Sequence, residues 1–232
     1  MAGKIVIVTG AGRGIGRAVC LRFAEDGAHI IAASRTASEL EETKILVEKA
    51  GGHCDPIPTD VCASDEITAL IETTHSRHDR VDVLVNCAGV APLSDLEHLE
   101  PQVFEVIQSV NIEATYRLCR AVWPVMKAGG GGVIINISSA ASIDPFPGFT
   151  AYGASKAWVN AWTKGLAEEG RDHNIRVISV APGAVETRLL REVFPDFPKD
   201  QALQPQEVAD AVFAMALPDC ETASGETFLV NK

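Results

Sequence analysis

The sequence predicts an α/β fold: one doubly wound, mostly parallel, seven-stranded sheet with helices on both faces. Three observations lead there. Strand-like and helix-like segments alternate along nearly the whole chain. The strand-like segments are short continuous apolar runs, as strands covered on both faces require. A glycine-rich turn joins the first strand to the first helix.

Residues 5–9 (Ile-Val-Ile-Val-Thr) form the first strand, rich in β-branched residues. A helix follows over 14–26 and stops at Gly27. The next strand covers 29–33, and the helix over 37–50 ends at the pair Gly51-Gly52. A third strand is expected over 54–59, a helix over 66–75 and a fourth strand over 81–85, broken by Asn86-Cys87-Ala88-Gly89. One long helix is expected over 101–127, since Pro101 suits a first helical turn and Gly129 to Gly132 terminate it. Strand 133–137, helix 151–171, strand 175–180, helix 205–217 and strand 226–230 complete the alternation. Right-handed crossovers then give an open sheet that binds ligands beyond the carboxyl ends of its strands. No linker or repeat divides residues 1–232, so one domain is expected.

Bulk composition narrows the function. The chain has 232 residues, 47% hydrophobic and 22% charged, with a net charge of −11. A chain of this length buries a core without covalent staples. Its acidity disfavours nucleic acid. No apolar run reaches the ~18 residues of a membrane span, and no signal peptide is evident, so neither a membrane nor a secretory route is expected. The six scattered cysteines form no C-x-x-C pair and fit a reducing cytoplasm. His75 and His78 lie in a polar stretch with no third ligand nearby in sequence; they read as a solvated helix end, and no metal site is expected.

The turn reads Thr9-Gly10-Ala11-Gly12-Arg13-Gly14-Ile15-Gly16. Glycine there permits tight turning and close approach of a ligand to the backbone. The helix beyond it offers free N–H groups and a positive dipole end to a pyrophosphate. The spacing is not the strict G-x-G-x-x-G, but its place between strand and helix is that of a Rossmann-type dinucleotide turn, with Gly10, Gly12, Arg13, Gly14, Ile15 and Gly16 beside the cofactor. At the end of the second strand a carboxylate would select NAD. This chain has Ser34-Arg35-Thr36 instead. Arg35 can meet a 2′-phosphate with a planar, permanently charged fork, Ser34 and Thr36 can add hydrogen bonds, and Arg13 is within reach of the same phosphate. NADP(H) is therefore expected over NAD(H).

Tyr152 and Lys156 stand four apart on a predicted helix, hence on one face. An ammonium beside a phenol is expected to favour the phenolate and lower its pKa, making the tyrosine a general acid or base. A serine hydroxyl at the end of the fifth strand, Ser138 or Ser139, could polarise a substrate carbonyl, although strand-end serines also cap turns. No G-x-S-x-G elbow or histidine accompanies it, which argues against hydrolysis.

In the order and spacing of these pieces the chain resembles the classical short-chain dehydrogenases/reductases, from Lys4 to about Val230. Thr9-Gly10-x-x-x-Gly14-x-Gly16 is similar to that family's cofactor turn, and Asp60-Val61 to its adenine-contacting pair. Asn86-x-Ala88-Gly89 is similar to the segment that steadies the sheet beside the cofactor. Ser139, thirteen residues before Tyr152, has the spacing of the family's catalytic serine. Pro182-Gly183, Val185 and Thr187 resemble the stretch that holds the nicotinamide. The resemblance implies a tetrad of Asn111, Ser139, Tyr152 and Lys156. Tyr152 would exchange the proton, Ser139 would orient the substrate oxygen, and Lys156 would bind the nicotinamide ribose and tune Tyr152. The Asn111 carbonyl would connect Lys156 to solvent through a water. It also implies a homodimer or homotetramer built through the long helices.

Two departures stand out. Ser142 replaces a frequent glycine, which predicts a reshaped loop or an added pocket hydroxyl. The substrate lid, about 187–204, is short and predicts an open pocket lined by Val90, Pro92, Phe146, Phe149, Leu189, Leu190, Phe194 and Phe197. The expected function is hydride transfer between NADP(H) and a small ketone or the matching alcohol. An acyl-thioester reductase is one subclass, and Arg117, Arg120 and Lys127 would then suit an acidic carrier protein. A non-catalytic dinucleotide sensor, and an isomerase or dehydratase using the same pair, are the alternatives.

Overall fold

The computed structural model describes residues 1–232, apart from the side chains of residues 221 and 222. Its strands are β1 (Ile5–Thr9), β2 (His29–Ser34), β3 (His53–Pro58), β4 (Val83–Asn86), β5 (Gly132–Ile137), β6 (Ile175–Pro182) and β7 (Thr227–Val230). Its α-helices are α1 (Gly14–Glu25), α2 (Ala37–Lys49), α3 (Ser64–His78), α4 (Pro101–Ile107), α5 (Ala114–Ala128), α6 (Thr150–Gly170), α7 (Arg188–Val193) and α8 (Pro205–Ala216).

The strands form one sheet in the order β3-β2-β1-β4-β5-β6-β7. Every neighbouring pair is parallel, so the expected sheet is present and wholly rather than mostly parallel. The chain builds outward from β1 to β3, then returns to β1's other side with β4. That reversal opens a crevice above the carboxyl ends of β1 and β4.

Alternation along β1 divides its side chains between two cores. Val6 and Val8 join Phe23, Leu40, Val212 and Phe213 on one face. Ile5 and Ile7 join Leu70, Leu84, Leu118 and Met126 on the other. Phe23 meets Phe213 edge-on at 5.2 Å, locking α1 against α8. Each such fully buried side chain contributes roughly 1.5–3 kcal/mol of transfer free energy, so both helical layers are needed to cover the sheet.

The expected helix over 101–127 is not continuous. A π-helical segment, Gln108–Glu113, separates α4 from α5. The wider turn accommodates an extra residue, and it buries Asn111 to 1% exposure. Apolar periodicity gives no sign of this, because the amphipathic stripe resumes on the far side. α3 also runs past its expected end at residue 75, to His78, where Asp79 takes a left-handed conformation (φ 58°) and stops it. The short helix α7 inside the lid was not anticipated. Thr187 caps it, its Oγ1 accepting from the Leu190 N–H at 3.3 Å.

Candidate active site

The glycine turn lies where β1 and β4 come closest. Gly10 adopts φ +66°, and a β-carbon on it would sit 3.0 Å from the Ala88 backbone. A β-carbon on Gly16 would collide with the Gly10 carbonyl. The Thr9 hydroxyl accepts from the Cys87 and Ala88 N–H groups at 3.1 and 3.3 Å, fastening β1 to the loop after β4. Arg17, which the sequence reading did not single out, laces the turn to α2. Its guanidinium donates to the Gly12 carbonyl, to the Glu39 carbonyl at 3.2 Å and to Thr43 Oγ1 at 3.0 Å.

Above the turn runs a groove of about 310 Å³. Gly10, Gly12, Arg13, Gly14, Ile15, Gly16, Ser34, Arg35, Thr36, Asp60, Val61, Ala88, Gly89 and Thr187 all line it. Pro182, Gly183 and Val185 line the adjoining cavity. Asn86 lines neither; its amide is spent inside the sheet, donating to Asn136 Oδ1 at 2.8 Å. These residues fit a dinucleotide. Side chains in place of the glycines would obstruct the cradle, and Ser34 Oγ is buried in its wall with no hydrogen-bond partner among the described residues. Arg35 is exposed at the rim. Arg13 is engaged by Glu39, donating to its carboxylate at 2.9 Å. Glu39 also borders the groove, and nothing in the sequence around it announced that position.

Ser139, Tyr152 and Lys156 line one cavity of about 340 Å³, contiguous with the groove through Ile15, Cys87, Gly89 and Val90. Helix α6 presents Tyr152 and Lys156, and the end of β5 presents Ser139. Ser139 also caps the turn that follows, its Oγ accepting from the Ala141 N–H at 3.2 Å. The Lys156 ammonium donates to the Ile137 carbonyl at 2.8 Å and lies 6.0 Å from the Tyr152 ring centre. Burial lowers its pKa to about 8.

Tyr152 departs from expectation: its pKa is raised, not lowered. Burial disfavours the phenolate and outweighs the opposing hydrogen bond from Ser139. The spacing correctly implied a shared helical face, but not that the lysine would spend a donor on a main-chain carbonyl.

Asn111 is held from several sides. Its Oδ1 accepts from the Val90 N–H, and its Nδ2 donates to the Val90 carbonyl and to Ser155 Oγ, each at 3.0 Å. Its main-chain carbonyl accepts from Thr115 Oγ1 at 3.0 Å. Asn111 Oδ1 and Lys156 Nζ flank the same space beside Gly89, 3.4 and 3.5 Å from where a β-carbon would be.

Ser142 does not line the cavity. Its hydroxyl donates to the Ser139 carbonyl at 2.6 Å and accepts from Asn160 Nδ2 at 2.8 Å, while Asn160 Oδ1 accepts from Ser179 Oγ at 3.0 Å. Of the two expectations for Ser142, an added pocket hydroxyl is not met; the hydroxyl braces the serine loop against α6 and β6.

Val90, Phe146, Phe149, Leu189, Leu190, Phe194 and Phe197 line the cavity as expected, whereas Pro92 lies outside that lining. Phe146 and Phe149 stack at 4.6 Å, and Phe194 leans on both. Asp144 and Val193 complete the wall and carried no sequence signal. Arg191 folds the lid, pairing with Glu186 and donating to the Pro195 and Phe197 carbonyls.

A parallel sheet with a dinucleotide groove opening onto a tyrosine, a lysine and a serine defines a nicotinamide-dependent oxidoreductase class. The chain belongs to the short-chain dehydrogenase family, whose model matches residues 4–197. It is 33% identical to a 3-oxoacyl-[acyl-carrier-protein] reductase of Thermotoga maritima, over 100% of this chain and 97% of that one. It is equally 33% identical to 3beta-hydroxysteroid dehydrogenase 1 of Eggerthella lenta, over 100% and 93%. Among solved structures, a 3-ketoacyl-(acyl-carrier-protein) reductase from Brucella melitensis complexed with NADH superposes with a TM-score of 0.92 at 30% identity, covering 99% of this chain and 97% of that one.

The buried lysine makes a stability prediction. Unfolded, its amine titrates near 10.5; folded, near 8. Between these values the unfolded chain holds more protons, so stability rises with pH. Thermal denaturation should show wild type gaining stability from about pH 8 to about pH 10 relative to Lys156→Met, which lacks this titration. Parallel pH profiles for the two proteins would contradict it.

Proposed function

We propose that this oxidoreductase uses NADPH to reduce a small ketone, with Tyr152 as the proton donor. The observation that carries this reading is the convergence of Ser139, Tyr152 and Lys156 on one cavity beside the dinucleotide groove. When bound, the cofactor would supply the hydride. Burial keeps the Tyr152 phenol protonated, so it is poised to donate to an oxygen gaining negative charge. Ser139 is the second donor to that oxygen. Lys156, titrating at about 8, can return a proton to Tyr152 near neutral pH, and its ammonium would hold the ribose hydroxyls. Asn111 positions the Val90 segment and the space beside Lys156.

The preference for NADP over NAD rests on Ser34, Arg35 and Thr36 at the groove rim, where no carboxylate ends β2. The NADH in the Brucella relative marks NAD as the competing choice. The apolar, phenylalanine-walled cavity suits a 3-oxoacyl thioester or an alicyclic ketone; the relatives' names give a 3-oxoacyl-[acyl-carrier-protein] and a 3beta-hydroxysteroid. Residues 187–204 act as the lid. Six free cysteines support a reducing, cytoplasmic setting, and among the described residues no helix is long and apolar enough to cross a membrane.

Tyr152→Phe should lower kcat for NADPH oxidation with a good ketone by about 10²–10⁴ fold while leaving NADPH binding intact. Unchanged turnover across a ketone panel would refute the role of Tyr152. Arg35→Ala should raise the KM for NADPH by about tenfold or more and leave that for NADH unchanged, since a charge-assisted bond contributes roughly 1.5–3 kcal/mol. Equal effects on both cofactors would remove the case for NADP.

We also propose a homodimer or homotetramer through α4, α5 and α6. Phe104 of α4 and Tyr116 of α5 are exposed. Light scattering coupled to size exclusion should give a multiple of 24.7 kDa at micromolar concentration; a monomer mass would refute it.

A further inference from the structure

The amino-terminal rim of the sheet, opposite the cleft, gathers a second set of chemically capable side chains. His29 opens β2, Asp55 lies in β3, and His78 ends α3. These residues are far apart in sequence. Parallel pairing of β2 with β3 and the return of α3 across that edge bring them together.

We propose that His29, Asp55 and His78 form a binding site for a divalent transition-metal ion of the zinc class, which fastens the end of α3 to the sheet edge. Both Nε2 atoms approach one oxygen, Asp55 Oδ2, from His29 at 3.4 Å and from His78 at 3.5 Å. One ligand atom from each residue lies within 4.8 Å of the others. Metal–ligand bonds of about 2.0–2.1 Å in a tetrahedron place neighbouring ligand atoms about 3.3–3.4 Å apart, so two of the three edges are already close to that length. The imidazole rings are tilted by 58° with centres 4.5 Å apart, converging rather than stacking flat.

Two further observations point to a ligand. The Nε2 atoms of His29 and His78 are both buried and make no hydrogen bond among the described residues. Buried polar atoms are ordinarily paired, and a shared cation would satisfy both at once. The three side chains nonetheless keep 16–33% exposure, enough for an ion to enter and hold a water as fourth ligand. Two imidazoles and one carboxylate select zinc, cobalt, nickel or copper over magnesium or calcium.

Arg77 also places a guanidinium 3.5 Å from the same Asp55 oxygen. Arg77 is 53% exposed and can swing aside, so it acts as a mobile competitor for the ion. This assignment reverses the sequence-based reading of His78 as part of a solvated helix end. His75, one turn earlier, remains exposed as that reading expected.

Cobalt(II) titration of the full chain tests the proposal. One equivalent should produce the visible d–d bands of a four-coordinate nitrogen–oxygen site, and zinc should displace them. Zinc should also raise the Tm. His29→Gln, His78→Gln and Asp55→Asn should each weaken binding by about tenfold or more, no less than the loss of an outer-shell partner costs. His75→Gln should bind as wild type does, and Arg77→Ala more tightly. Circular dichroism of the metal-free variants confirms that each is folded. No bands at one equivalent, bands that survive in all three ligand variants, or near-ultraviolet thiolate charge-transfer bands placing the metal on cysteines would each overturn the assignment.

Discussion

The close approach of β1's glycine turn to the loop after β4 governs this molecule. Gly10 lies against Ala88 with no room for a side chain, and the Thr9 hydroxyl holds two N–H groups of that loop. Because both strands are parallel, the turn and the loop emerge on the same rim. The groove floor is therefore backbone, and its walls come from the ends of neighbouring strands. Arg17 of α1 and Thr43 of α2 brace the turn, so the cradle is held before any ligand arrives.

A second constraint runs through the sheet as a chain of polar groups. The Asn86 amide donates to Asn136 in β5, and Asn136 donates to Thr163 in α6 at 2.9 Å. Asn160 of the same helix joins Ser142 to Ser179. Buried polar groups are costly when unpaired and confer rigidity when paired. These links fix α6 against β4, β5 and β6. The position of Tyr152 and Lys156 relative to Ser139 thus depends on residues that do not touch the cavity. Ser138, which does line the cavity, adds to these links, its hydroxyl donating to the Lys156 carbonyl at 3.1 Å.

Much of the fold was legible because its signals are local. Buried parallel strands need continuous apolar runs, and all seven were found within a few residues of their observed bounds. The glycine turn was legible because a strand, a turn and a helix in succession leave few geometries open. Tyr152 and Lys156 were legible because helical periodicity aligns them. The π-helical segment around Asn111 was not, since one extra residue per turn leaves the apolar stripe intact. Where the Ser142 hydroxyl would point was not legible for a different reason. A hydroxyl is equally able to face a cavity or brace a loop, and the partner that decided the matter, Asn160, is eighteen residues away.

The amino-acid sequence alone determined the strand–helix order, the glycine cradle and the residue types that face each other across one helical turn. These follow from steric rules and periodicities acting over a few residues. Only the tertiary structure decided the protonation tendencies of Tyr152 and Lys156, the pairing of Arg13 with Glu39 and the meeting of His29 and His78 at Asp55. Burial and long-range contact set those properties. Both arise from how the layers pack, and neither leaves a repeating mark along the chain.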